Sequence, residues 1–92
     1  MIIRILGEGQ LQIDAAVASE LQALDAELEA AVNRNDQAAL DTALGALLEK
    51  ARTQGTPLPE DSLEPSDVII PHEGATLDEV CKLLTDEGLI PG

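Results

Sequence analysis

The stretch "GTPLPEDSLEPSDVIIP", Gly55 to Pro71, divides the chain. Pro57, Pro59, Pro65 and Pro71 each fix φ near −65° and lack a backbone N–H, so no helix can run through them and no interior strand can contain them. Helical pattern must therefore stop before Gly55. Between the last two prolines lies Asp67–Ile70, whose run of Val68, Ile69 and Ile70 reads as a short strand. The segment is an ordered return path, since proline also reduces the freedom of the unfolded chain. Leu58 and Leu63 are expected to anchor it across the preceding helices.

The remaining elements follow from spacing. "MIIRIL" is rich in β-branched residues, "GEGQ" supplies two glycines for a tight reversal, and "LQI" resumes alternation, so Ile2–Leu6 and Leu11–Ile13 read as a hairpin. Asp14 is an N-cap, and Val17, Leu21, Leu24, Leu28 and Val32 form one stripe on a helix from about Ala15 to Val32. "NRND" interrupts it, with Asn35 as a left-handed C-terminal residue and Asp36 as the next N-cap. Leu40, Leu44, Leu47, Leu48 and Ala51 then make a second stripe ending at Gly55. So short a connection predicts an antiparallel helical hairpin.

After the prolines, Thr76 and Glu79 have capping-box spacing and open a short helix to about Thr85, stopped by Gly88, with Leu77, Val80, Cys81 and Leu84 on its buried face. Leu89 and Ile90 are expected to fold back on the core. The expected fold class is α+β: a small antiparallel or mixed sheet, built from the N-terminal hairpin plus Asp67–Ile70, packs with the helical hairpin and a short C-terminal helix. Residues 1–92 suit one domain.

Charge narrows the function classes. The 18 acidic and 5 basic residues give a formal charge of −13 and oppose binding to nucleic-acid phosphates or adsorption to anionic lipid. With no Phe, Tyr or Trp, base stacking is also excluded and the core must be aliphatic. That leaves a thin stability margin and favours a basic protein partner. One cysteine, Cys81, permits no internal disulfide, and no apolar run approaches a membrane span or signal-peptide core. The default location is cytoplasmic.

Several local motifs invite chemistry. "DSL" at Asp61–Leu63 suggests an acyl carrier with phosphopantetheine on Ser62, but that serine must open a helix and Pro65 follows three residues later. A turn hydroxyl fits better. "GEG" at Gly7–Gly9 lacks the third glycine of a dinucleotide fingerprint and is followed by strand. His72 has no second histidine to share a metal and reads as a solvated loop residue; Cys81, without a paired base, reads as a small hydrophobe. No two carboxylates are set apart as an acid–base pair, so no catalytic residue, cofactor or metal is expected. A different feature lies on the first helix, where Ala16, Ala23 and Ala30 recur every seven residues away from the leucine stripe, with Glu20 and Glu27 between the two faces. Small residues admit a close partner helix and the glutamates select basic side chains on it. Self-association through that face is left open, as is a solvent face of good helix formers.

Taken together, "MIIRILGEGQ", "GTPLPEDSLEPSDVIIP", "ATLDEV" and "DEGLIPG" resemble PspAA, the PspA-associated domain family, in order and spacing over nearly the whole chain. The resemblance implies a small cytoplasmic protein associated with PspA, the coiled-coil membrane-remodelling protein of the phage-shock envelope-stress response. It implies neither catalysis nor a cofactor. The expected function is a non-enzymatic adaptor that binds PspA-type helices near the inner face of the membrane without inserting in it. An acyl-carrier-like role for Ser62 and an unrecognised small hydrolase are the rivals.

Overall fold

The computed structural model describes residues 1–59, 61, 64–84 and 89. In chain order the elements are β1 (Ile2–Ile5), β2 (Gly9–Gln12), α1 (Ala15–Asn33), α2 (Gln37–Gln54), β3 (Thr56–Pro57), β4 (Val68–Ile70) and α3 (Leu77–Leu83). The α+β expectation holds, with a mixed four-stranded sheet ordered β3-β2-β1-β4.

The hairpin turns where two glycines allow it. Gly7 and Gly9 have φ of 85° and 116°, in the region closed to most side chains, and the Glu8 N–H donates to the Ile5 carbonyl at 2.9 Å. β1 and β2 then pair antiparallel, with Ile3 opposite Leu11 and Arg4 opposite Gln10. Beyond the strand ends, Met1 and Ile13 exchange a further pair of bonds: the Ile13 N–H reaches the Met1 carbonyl at 2.8 Å, and the terminal amine reaches the Ile13 carbonyl at 3.1 Å. Alternation sends Ile3, Ile5, Leu11 and Ile13 into the core and Arg4 and Gln12 outward.

Both long helices begin on the aspartates that the sequence marks. The Val17 N–H donates to Asp14 Oδ1 at 2.9 Å, and the Ala39 N–H to Asp36 Oδ1 at 3.1 Å, each satisfying an orphan donor of the first turn. Asn35, at φ 53°, makes the left-handed break between them. The two helices run antiparallel: Lys50, late in α2, reaches Glu20, early in α1, at 3.0 Å, while Ala30 and Ala39 meet near the connection. Leu21, Leu28, Leu40, Leu44, Leu47 and Leu48 are fully covered and close over the sheet without one aromatic ring. Leu24 and Val32 pack at the margin of this core.

β4 joins β1 in parallel, pairing Ile3 with Val68, Arg4 with Ile69 and Ile5 with Ile70. Asp67 fixes that register twice, because its N–H donates to the Ile2 carbonyl and its carboxylate accepts the Ile2 N–H, both at 2.8 Å. The connection to β4 differs from the sequence expectation. A two-residue strand, β3, pairs first with β2, placing Thr56 opposite Gln12 and Pro57 opposite Leu11, and Leu58 donates to the Gln10 carbonyl at 3.0 Å. Leu58 thus fastens to the sheet edge and not across the helix pair; Leu63 lies outside the described residues. Because β3 and β4 occupy opposite edges, the chain between them has to cross the sheet. Gln10, opposite Arg4 on the face turned from the helices, donates from Nε2 to the Glu64 carbonyl and the Ser66 hydroxyl, both at 2.9 Å. Residues 64–66 therefore form a strap over that outer face.

α3 opens on the expected capping box: the Glu79 N–H donates to Thr76 Oγ1 at 3.2 Å and the Thr76 N–H to Glu79 Oε1 at 3.1 Å. Gln37, in the first turn of α2, holds the approach to it by donating to the Ala75 carbonyl and accepting the Leu77 N–H. Val80 is buried and Leu77 and Leu84 half-buried, but Cys81 is exposed, which corrects the expectation that it faces the core. Leu83 packs against the core together with Leu77 and Leu84. Leu89 does return, packing in the core with its N–H on Asp25 Oδ1 at 3.2 Å; Thr85, Gly88 and Ile90 lie outside the described residues. Asp25 itself is only 3% exposed, an acid set within the leucine stripe of α1.

Two glycines of α2 and its end make opposite predictions. A Cβ on Gly55 would stand 2.6 Å from the Ala51 carbonyl oxygen and 2.7 Å from Ile13 Cδ1, so the helix end and hairpin would have to separate. Gly55→Ala should destabilise by about 1–3 kcal/mol, read as a lower urea midpoint at unchanged m-value. Gly45 sits inside the helix with open space where its Cβ would go, so Gly45→Ala should stabilise by about 0.5–1 kcal/mol in the same assay.

Candidate interaction surface

The five residues expected to contact a partner do not share one environment. Ala16 and Ala23 are exposed on α1, whereas Ala30 is half-buried. Glu20 is engaged within the chain by Lys50 at 3.0 Å, an exposed pair worth about 0–1 kcal/mol. Glu27 and Ala30 meet α2 in a shallow groove of about 440 Å³ completed by Arg34, Ala39, Thr42, Ala43 and Ala46. The alanine face thus continues across the helical hairpin near its connection. Reading one helix at a time conceals this second wall, although Ala39, Ala43 and Ala46 recur at helical spacing of four and three.

The groove has a floor of methyl groups and a rim carrying both an acid and a base. Alanine side chains let another helix approach near the short end of the usual 8–10 Å interaxial range, and Glu27 at the rim would meet its basic side chains. Arg34, at the end of α1, offers the opposite charge across the opening, so a docking helix would be read for the order of its charges as well as for its small face.

On the far side of the molecule, Arg52 gathers two carboxylates. Its Nε donates to Glu8 Oε1 at 2.8 Å, a second nitrogen pairs with Glu8 Oε2, and a third donates to Glu73 Oε1 at 3.1 Å. The last turn of α2 is thereby tied to the hairpin tip and to the turn before α3. Hydrogen bonding from Arg52 holds the Glu8 carboxyl below the usual carboxylate value, and the two carboxylates push the guanidinium further up. A cleft of about 550 Å³ opens beside the cluster, lined in part by Arg4, Gly7, Gly9, Leu58 and Pro59. Both carboxylates are taken up by one guanidinium, so the cluster is a three-way tie between elements.

His72 is exposed and lies 3.4 Å from Glu79. The hydrogen bonds of Thr76, first from its backbone and then from its side chain, lower the Glu79 carboxyl below its usual value, with His72 and Lys82 adding smaller effects. Among the described residues, no group of three or more His, Cys, Asp or Glu could hold a metal ion. Ser62 lies outside the described residues; residues 64–66 downstream of it are not helical, whereas the carrier chemistry would require a helix there. No helix among the described residues is long and apolar enough to cross a membrane.

Comparison with known families places these features in context. The model of the family described as PspA-Associated protein matches residues 1–92, the whole length given. The chain belongs to the PspA-associated protein family. Membership implies association with PspA-type proteins. Neither a curated protein nor a solved structure matches this PspA-associated chain.

The Arg52 tie of this PspA-associated protein predicts a pH dependence. Glu8 has a depressed carboxyl pKa in the folded state, so its contribution is present above the ordinary carboxylate pKa and is lost as pH falls through the folded value. Since the partners are substantially exposed, the contribution is small, about 0–1 kcal/mol. Arg52→Gln should therefore lower stability modestly at neutral pH, and the difference from wild type should shrink on acidification through the carboxylate range, measured by urea melts at each pH.

Proposed function

We propose that this PspA-associated protein is a non-catalytic adaptor that docks on a helix of a PspA-type coiled-coil protein and thereby modulates its assembly or stress signalling. The observation that carries the reading is the family match over residues 1–92. Its docking surface is the alanine-lined groove between α1 and α2, with Glu27 and Ala30 from one helix and Ala39, Ala43 and Ala46 from the other. Ala16 and Ala23 extend the surface along α1, while Glu20, already on Lys50, contributes less than the sequence suggests.

The physical basis is twofold. Methyl-sized side chains let two backbones come close, so packing density is gained without ordering long side chains. A formal charge of −13 speeds encounter with a helix rich in Lys and Arg and makes the association sensitive to salt. Held this way, the protein works in the cytoplasm, at the inner face of the membrane only when its partner is there.

Copurification followed by calorimetry with a PspA-type protein tests the reading. Wild type should bind, and Glu27→Lys, like the groove-filling Ala46→Gln, should weaken binding by about tenfold or more, consistent with loss of roughly 1.4 kcal/mol. Absence of association by the wild-type chain would refute the partner; normal affinity in both variants would refute the groove while leaving the partner standing.

A further inference from the structure

The face of the sheet turned away from the helices carries a second surface of different chemistry. Leu6 and Ile69, at 40% and 43%, are the exposed large hydrophobic residues of the described chain. Arg4 lies between them: the β1–β4 register sets it beside Ile69, and alternation along the strand sets Leu6 on the same face two residues on, where the Leu6 N–H still pairs with the Ile70 carbonyl at 3.0 Å. Half-buried Ile2 continues the row.

The Arg4 side chain makes no ion pair with the described acidic residues. Cations that protect a sheet from growing belong on its edge strands, and β1 is not an edge strand. Nor does an isolated positive charge aid solubility when the net charge is already −13. Arg4 beside Leu6 and Ile69 joins an arginine to exposed aliphatic side chains, a pairing that interfaces use, with Glu8 and Arg52 at one margin and Glu79 and Lys82 at another.

We propose that Arg4, Leu6 and Ile69 form a docking surface for a segment of another protein that presents one carboxylate between aliphatic side chains. The guanidinium takes the carboxylate as a two-bonded fork, and Leu6 and Ile69 cover the flanking apolar groups. Charge complementarity selects the occupant. A second copy of this chain is disfavoured by mutual repulsion of two strongly acidic molecules, and an anionic bilayer by the same field. The surface lies across the sheet from the α1–α2 groove, so the proposal stands independently of where a PspA-type helix binds.

The test uses the full chain, isotope-labelled for amide NMR, with the blocked peptide Gly-Leu-Ile-Glu-Ile-Leu-Gly and its counterpart carrying Gln at the centre. Titration of the acidic peptide should shift the amides of Arg4, Leu6 and Ile69, and the Gln peptide should bind about tenfold more weakly. Arg4→Gln should erase the distinction between the two peptides, while Arg4→Lys keeps part of it; unaltered amide shifts elsewhere show that both variants remain folded. Equal affinity for the two peptides, or shifts confined to the alanine groove, overturns the proposal. So does a dimer in sedimentation that Ile69→Asp dissociates, or Arg4-dependent binding to phosphatidylglycerol vesicles without a peptide response.

Discussion

The parallel pairing of β4 with β1 is the constraint on which the rest of this small fold depends. It joins residues more than sixty positions apart, Ile3 with Val68 and Ile5 with Ile70, and so closes the sheet only after both long helices have been laid over it. Parallel strands cannot be joined by a tight turn and need a crossover. Here the helical hairpin covers one face, and residues 64–66 pass over the other on their way into β4. Asp67 secures the junction by making both a backbone and a side-chain bond to Ile2.

Much of this was legible because the signals were local. Asp14, Asp36 and Thr76 with Glu79 cap helices where their spacing indicates, Asn35 takes the left-handed angle, and the glycines at 7 and 9 turn the hairpin. Three features were hidden for physical reasons. β3 is too short for alternation to show, and it forms only because Gly55 lets the chain press against Leu11 and Ile13. Cys81 has the spacing of a buried residue, but about two turns of helix do not bury a whole stripe. Asp25 sits among leucines where the returning Leu89 N–H meets it, a contact between residues 64 positions apart.

The candidate surface was half visible for a related reason. Spacing along α1 reveals Ala16, Ala23, Glu27 and Ala30 as a face, yet a groove needs a second wall, and Ala39, Ala43 and Ala46 become that wall only once α2 folds back. The same folding brings Lys50 to Glu20 and so withdraws one expected contact. On the sheet, Arg4 and Ile69 become neighbours only through strand register. Sequence periodicity reports which side of an element is apolar; adjacency between elements is decided by topology.

The strap has a consequence for the integrity of the molecule. The chain between β3 and β4 is the sole covalent route from the hairpins to β4 and α3, and Gln10 holds it at the Glu64 carbonyl and the Ser66 hydroxyl. A single backbone cut at residue 61 would leave two complementary pieces, the smaller one supplying an edge strand and a capping helix. Their reunion would then follow mass action, turning a unimolecular fold into one whose occupancy rises with dilution reversed. A split pair of this kind would report its own concentration.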